Sequence, residues 1–191
     1  MRRNENRKRV VLGSMAERMA VKASRLSLEL NPADRPVTLF YKIGMEAAAE
    51  CLAALPDEVF RCWRNERIAR LVGPVGWRAM MRATGTDRIA EFPPRDREAW
   101  LQRYRLKVLN SLAPQVTIVA ARLLAWLQPE DLEIEDVQMA GLGAAAQILV
   151  DLPYDVVRYT RFDELEAFLE RFVWVACWDL IDEHMAPPAV A

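Results

Sequence analysis

The sequence predicts an all-α protein: a single globular bundle of about seven or eight helices with a basic N-terminal arm. Apolar side chains recur three and four residues apart along most of the chain. Prolines and capping residues divide the chain into pieces of helical length. Strand signals are few, and the best of them, residues 155–159, has no convincing partner elsewhere.

The helices follow one another between boundaries that contain proline. Ser14 and Glu17 fit a capping box, which would open the first helix. Pro36 suits the first turn of the second helix, and Pro56-Asp57 ends that helix and caps the third. The predicted helices cover about residues 14–28, 36–55, 57–72, a short stretch before Gly85, two stretches on either side of Pro114, and residues 132–150 and 160–183.

The predicted organisation has three parts. We expect a basic N-terminal arm over residues 1–13, one helical domain over residues 14–185 and a C-terminal tail over residues 186–191. No repeat with a period of about 20–50 residues is visible.

Charge is segregated along the chain. The 26 basic and 27 acidic side chains give a net charge of −1, but residues 1–25 sum to +6, residues 61–107 to +7 and residues 129–191 to −11. Arginine supplies 22 of the positive charges, and its planar fork binds phosphate bidentately. A genome that favours arginine codons would produce the same bias. The asymmetry itself predicts a basic surface that meets a polyanion.

Two groups of cations are candidates for binding phosphate. Residues 2–9 hold five positive charges and resemble arms that follow a nucleic-acid backbone, although a solvated tail has the same composition. A second patch is predicted within residues 61–107. The candidate nucleic-acid-binding residues are Arg2, Arg3, Arg7, Lys8, Arg9, Arg61, Arg64, Arg78 and Arg82.

Residues 68–79 look like a helix-turn-helix core. Ala69 and Gly73 would let two helices cross tightly, and Arg78 and Arg82 would then face a major groove one turn apart. Pro74 departs from this pattern, because an apolar residue usually follows the turn glycine. An ordinary helix corner at Gly73-Pro74 is the alternative.

Two tryptophans of the last helix, Trp174 and Trp178, are candidates for a protein interface. They lie one turn apart, where they could belong to the core or anchor a partner. Residues 168–181 are apolar nearly all round, so this helix must be buried centrally or contribute to a subunit interface.

The motifs for catalysis, metals and cofactors are weak. His184, the only histidine, is seven residues from Cys177 on one helix, about 10 Å away and too far for a thiolate pair. The zinc-ligand spacings His-Glu-x-x-His and Cys-x-x-Cys are absent, so no catalytic or metal residue is predicted. Residues 141–146 match G-x-G-x-x-A, but that motif needs a strand before it, and close helix packing explains the small residues more simply. No cofactor is expected. No spacing excludes carboxylate acid–base chemistry, so the question of an enzyme stays open while a non-enzymatic role is favoured.

The sequence predicts a cytoplasmic protein with no membrane partner. The longest uncharged stretches, residues 108–121 and 137–150, are shorter than the roughly 20 residues that span a bilayer. The three cysteines, Cys51, Cys62 and Cys177, are odd in number and typical of buried free thiols in a reducing compartment.

These observations favour a non-enzymatic helical subunit of a larger assembly. Its basic N-terminal half would contact nucleic acid, and its acidic C-terminal third would contact a protein partner or an identical copy. One alternative is a helix-turn-helix DNA-binding regulator, and another is a pure protein-interaction or scaffold subunit.

Overall fold

The computed structural model describes residues 2–29, 36–86, 96–129 and 132–185, with the side chains of all of these except Arg2 and Arg3. The described residues form eight helices and no strand, which confirms the all-α prediction. The predicted tail, residues 186–191, lies outside the described residues. The helices are α1 Arg2–Glu29, α2 Val37–Ala54, α3 Asp57–Cys62, α4 Asn65–Thr84, α5 Arg97–Leu127, α6 Ile134–Asp151, α7 Tyr154–Tyr159 and α8 Phe162–Met185.

Helix α1 begins at Arg2 rather than at Ser14. The Ser14 hydroxyl donates to the Val11 carbonyl oxygen at 2.8 Å, inside the helix, so it is not a cap. Val11, Met15 and Met19 are buried at four-residue spacing, which continues the apolar face of α1 back towards its N-terminus. Residues 4–13 are therefore helical, and the basic segment is not an arm that precedes the first helix.

Helix α4 runs without interruption through Gly73-Pro74. An interior proline removes one backbone hydrogen bond and costs about 3 kcal/mol in an isolated helix. Here Val72 and Val75 are buried on either side of it, so packing holds the helix together. The predicted corner and the helix-turn-helix arrangement are therefore wrong. Helix α5 likewise continues through Pro114, and residues 155–159 belong to helix α7 rather than to a strand.

The chain divides into two compact units where one helical domain was expected. Unit 1 comprises residues 1–97 and 152–160, and unit 2 comprises residues 98–151 and 161–191. Unit 1 contains α1, α2, α3, α4 and α7, and unit 2 contains most of α5 together with α6 and α8.

The helices of the second half repeat those of the first at a spacing of 97 residues. Helix α2 starts at Val37 and α6 at Ile134, and the same spacing without insertion relates α3 to α7 and the start of α4 to that of α8. Between residues 2–86 and 99–183, 22 of the 85 paired positions carry the same amino acid. The chain is therefore an internal duplication, with a period much longer than those of short-repeat proteins.

A Leu-Pro pair ends the second helix of each copy. Leu55 has φ −70° and ψ 140°, an extended conformation that the following proline favours, and this ends α2. Pro56 and Pro153 then stand at the N-caps of the short helices α3 and α7, where a proline amide would have no partner in any case. The same local chemistry sets the same boundary twice.

A paired glycine contact brings two helices close together in each copy. A Cβ on Gly44 of α2 would lie 3.0 Å from the Met80 sulfur of α4. At the corresponding positions, a Cβ on Gly141 of α6 would lie 2.8 Å from the Cys177 sulfur of α8. Both copies thus build their cores on the same close approach of the second and fourth helices.

Candidate functional site

The charge segregation coincides with the two units. Unit 1 carries 20 basic and 13 acidic side chains, a net charge of +7, and unit 2 carries 6 basic and 14 acidic, a net charge of −8. The units differ from the two copies, because α7 belongs to the second copy and to unit 1. The copies also carry opposite charge, since residues 2–86 sum to +7 and residues 99–183 to −7.

Two predicted phosphate contacts instead tie α1 to the connection between α3 and α4. The Arg7 guanidinium donates to the Trp63 carbonyl oxygen at 2.6 Å and to Asn65 Oδ1 at 2.8 and 3.1 Å. The Lys8 ammonium lies 3.3 Å from a Glu5 carboxylate oxygen and 5.5 Å from the Phe60 ring centre, with 19% of its side chain exposed. Both side chains have structural partners within unit 1.

The other predicted cations near this connection point outwards. Arg9 of α1 is exposed, and so is Arg64, which directly precedes α4. Arg61 is exposed and lies 3.9 Å from Glu58. The structure thus brings the beginning of α1 and the Arg61–Arg64 region to the same end of unit 1. The side chains of Arg2 and Arg3 lie outside the described ones.

Arg78 and Arg82 lie elsewhere on α4 and pack against α7. Their guanidinium carbons are 5.8 and 5.6 Å from the Tyr159 ring centre, and Arg82 also lies 3.6 Å from Asp155. At 1.5 Å per residue, Arg82 is about 27 Å along the helix axis from Arg64. The second predicted patch therefore separates into two groups, one of which holds α7 in place.

A cleft of about 340 Å³ lies beside these contacts, between α2, α4 and α7. Arg82, Arg97 and Asp155 line it, and the Arg97 guanidinium stacks 3.7 Å from the Tyr154 ring centre. Burial, together with the nearby Asp155 carboxylate, raises the pKa of the Cys51 thiol at the cleft wall to about 12. At neutral pH this thiol is protonated, so the cleft offers no thiolate nucleophile.

The exposed face of α1 carries cations that were not among the predicted site residues. Arg18, Lys22 and Arg25 recur at helical spacing, and the Lys22 ammonium lies 5.1 Å from the ring centre of Trp77 on α4. Burial and the neighbouring Arg18 charge lower the pKa of Lys22, as expected where like charges gather. The spacing of these residues was visible in the sequence, but their neighbours on α4 were not.

Helix α4 carries two further exposed arginines, Arg67 and Arg70, and the Arg67 guanidinium carbon lies 5.6 Å from the Trp63 ring centre. Arg70 and Trp77 are seven residues apart and share one face of the helix. Within the parts of the chain that the structure describes, these α1 and α4 cations form no ion pair. We call this group the basic surface: Arg18, Lys22, Arg25, Arg67 and Arg70.

The corresponding face of unit 2 is not basic. At a spacing of 97 residues, the five members of the basic surface correspond to one cation, one acid and three neutral residues. In the same order they are Gln115, Val119, Arg122, Glu164 and Ala167. The second copy builds its core without these cations, so the fold does not require them.

Unit 2 instead exposes tryptophan side chains. Trp126 of α5 is 71% exposed and Trp174 of α8 is 46% exposed, so Trp174 is not a core residue. Trp178 packs against Trp126 with ring centres 6.0 Å apart. A shallow depression of about 520 Å³ lies among them, and Arg171, Val175 and Asp179 complete its lining. We call Trp126, Trp174 and Trp178 the tryptophan surface.

The remaining sequence motifs have no supporting geometry. Across the described ranges, no group of three or more His, Cys, Asp or Glu side chains is placed to hold a metal ion. The G-x-G-x-x-A segment lies inside α6, where Gly141 contacts Cys177 and no strand precedes it. The small residues therefore serve close helix packing.

One described helix, α5, is long and apolar enough to cross a membrane by length and composition. Its most apolar stretch of 18 residues has a mean hydropathy of 1.4, and 28% of that stretch is buried. The sequence did not predict this helix as a candidate span, because its longest uncharged run, residues 108–121, is shorter than the bilayer core. A single helix of this kind does not assign a membrane location.

No protein-family model, curated protein or solved structure matches the chain.

Proposed function

We propose that the protein is a non-enzymatic helical subunit of a larger assembly, in which unit 1 contacts nucleic acid and acidic unit 2 contacts protein. The basic surface carries this proposal. Its five cations are not neutralised by ion pairs among the described residues, and the repeated copy folds with only one of them. Cations that the fold does not need and that carboxylates do not pair are available to bind a polyanion.

The chemistry of this surface favours contact with the phosphate backbone rather than with base edges. Arg18, Arg25 and Arg70 are exposed and can each present a bidentate fork to a phosphate. The nearby Trp77 ring is half-buried and already covered by Lys22, so it is not free to stack on a base. We therefore expect binding with little sequence preference, in the affinity range of non-specific complexes, about 10⁻⁴–10⁻⁶ M at physiological salt.

The test is a salt titration of nucleic-acid binding by fluorescence anisotropy, with labelled duplex DNA and with RNA of unrelated sequences. The variant Arg18→Gln/Arg25→Gln/Arg70→Gln should weaken binding to all of them alike. On duplex DNA, removing one phosphate-binding arginine lowers the slope of log K against log salt by roughly 0.9, so the triple variant should lower it by roughly 2.7.

The duplication supplies a matched control. Arg25 of α1 and Arg122 of α5 are corresponding, exposed arginines, one in each unit. Arg25→Gln should lower the slope by roughly 0.9, whereas Arg122→Gln should leave it unchanged. Equal decreases from the two substitutions, or no decrease from the triple variant, would contradict the proposal.

A pure scaffold subunit is the second candidate, and the exposed tryptophan surface is the observation that favours it. Such a protein would bind neither DNA nor RNA at low salt, would not be retained on heparin and would purify with the absorbance ratio of a nucleic-acid-free protein. In that case the basic surface would meet an acidic protein instead.

A further inference from the structure

We propose that the tryptophan surface of unit 2 docks the basic surface of a second copy of this chain. The inference deepens the proposed function, because it names the partner of the acidic unit. It also makes nucleic acid and the second copy alternatives for the same cations.

Two corresponding tryptophans differ in whether a cation covers the ring. Trp77 in unit 1 corresponds to Trp174 in unit 2, and the Lys22 ammonium covers the Trp77 ring at 5.1 Å. The position of Lys22 is taken by Val119 in unit 2, so Trp174 lacks the cation that covers its counterpart. Trp174 is 46% exposed, and an exposed indole ring attracts a cation.

Carboxylates beside the tryptophans strengthen this preference. Glu170 lies one helical turn before Trp174, Asp182 lies one turn after Trp178, and Asp179 lines the depression between the rings; all three acids are exposed. Aromatic rings flanked by carboxylates form a favourable site for arginine and lysine side chains, which bury their apolar stems and pair their charged ends. Arg171 in the lining and Arg122, one turn before Trp126, are also exposed, so three acids stand against two cations and a basic partner is favoured over an acidic one.

The chain itself supplies such a partner. Unit 1 has a net charge of +7 against −8 for unit 2, and its basic surface presents cations without ion pairs among the residues described. Two tryptophan surfaces facing each other would instead bring like-charged carboxylates together, which costs free energy. Charge complementarity therefore favours contact between unlike units, with unit 2 of one copy on unit 1 of the next.

The test is sedimentation equilibrium of the full chain over a range of protein and salt concentrations. We expect reversible self-association that weakens as salt is raised and that added duplex DNA reverses. Trp126→Ser/Trp174→Ser should weaken the association at least tenfold. The control Met139→Ser/Val150→Ser removes two other exposed apolar side chains of unit 2 and should leave it unchanged. Circular dichroism and thermal unfolding verify that each variant is folded.

Several results would overturn the inference. A chain that stays monomeric at every concentration would do so, as would association that survives the tryptophan double variant. Association unaffected by Arg18→Gln/Arg25→Gln/Arg70→Gln would show that the basic surface is not the docking site. Binding of neutral phospholipid vesicles to the tryptophan surface would assign that surface to a membrane. Tryptophan rings that are shielded from solvent in the full chain, and become exposed when residues 186–191 are deleted, would assign the surface to those residues.

The two proposals fail separately. Nucleic-acid affinity measured on dilute, monomeric protein tests the proposed function alone, and the tryptophan double variant should retain that affinity. Loss of self-association with unchanged DNA binding in this variant supports the docking inference. Unchanged DNA binding in the arginine triple variant counts against the proposed function, whatever the sedimentation shows.

Discussion

Replacing Gly76 by alanine is expected to destabilise unit 1 by about 3 kcal/mol, at the upper end of the usual cost of overpacking a core. A Cβ at this position would lie 2.5 Å from the Gly44 carbonyl oxygen and 2.7 Å from the Met19 side chain. The Met19 side chain can move, but the oxygen belongs to the backbone of α2. Helices α2 and α4 would have to separate, so thermal or urea unfolding should show a large decrease in stability.

Gly73→Ala is the matched control on the same helix. A Cβ at Gly73 would meet nothing within 4 Å, and the position lies inside α4. Alanine should stabilise the helix there by about 0.5–1 kcal/mol, because glycine loses more conformational freedom on folding. If the two substitutions had similar effects on the unfolding midpoint, the close approach of α2 and α4 would be disproved.

Gly141→Ala is the second substitution with a large expected effect, a destabilisation of about 2 kcal/mol. The added Cβ would lie 2.8 Å from the Cys177 sulfur and 2.9 Å from a methyl carbon of Val116. Valine is β-branched and cannot move its methyl aside without changing its rotamer. The corresponding Gly44→Ala meets only the flexible Met80 side chain, at 3.0–3.2 Å, and should cost less.

Chemical unfolding of Gly44→Ala, Gly141→Ala and Gly141→Ala/Cys177→Ala checks this account. Removing the Cys177 sulfur should recover part of the stability, measured against Cys177→Ala alone, because the two substitutions act on one contact. Strict additivity of the two substitutions would show that Gly141 and Cys177 do not touch.

The sequence predicts helix ends well where the residues at the end itself determine them. The Leu55-Pro56 and Leu152-Pro153 pairs end helices because a residue before proline avoids helical geometry, and the structure has both boundaries. Gly73-Pro74 was misjudged because buried valines on both sides hold α4 together against its local preference. The start of α1 was missed for a similar reason, since Val11 extends the buried face of the helix past the apparent cap at Ser14.

The duplication is hard to see in the sequence because many corresponding positions share burial in the core but carry different amino acids. Met80 corresponds to Cys177 and Cys51 to Ile148, pairs that share burial but not chemistry. The visible signal was the segment from Leu55 to Arg64, whose leucine, proline, valine and two arginines recur 97 residues later. The period of 97 residues is much longer than the roughly 20–50 residues of short-repeat proteins.

The candidate site depends on which helices lie side by side, which the sequence does not state. Arg78 and Arg82 were expected to face a ligand, but α7 packs on them although it comes more than 70 residues later in the chain. The basic surface was missed because Lys22 and Trp77 become neighbours only when α1 packs on α4. Periodicity gives the face of a helix, and tertiary packing decides what that face meets.

The most direct test of the central claim compares exposed arginines of the two units within one molecule. Phenylglyoxal modification, followed by mass spectrometry, reports the accessibility of each arginine with and without excess duplex DNA. If unit 1 alone contacts nucleic acid, DNA should protect Arg18, Arg25 and Arg70 while Arg122 and Arg161 of unit 2 react at unchanged rates. Equal protection in both units, or protection confined to unit 2, would contradict it.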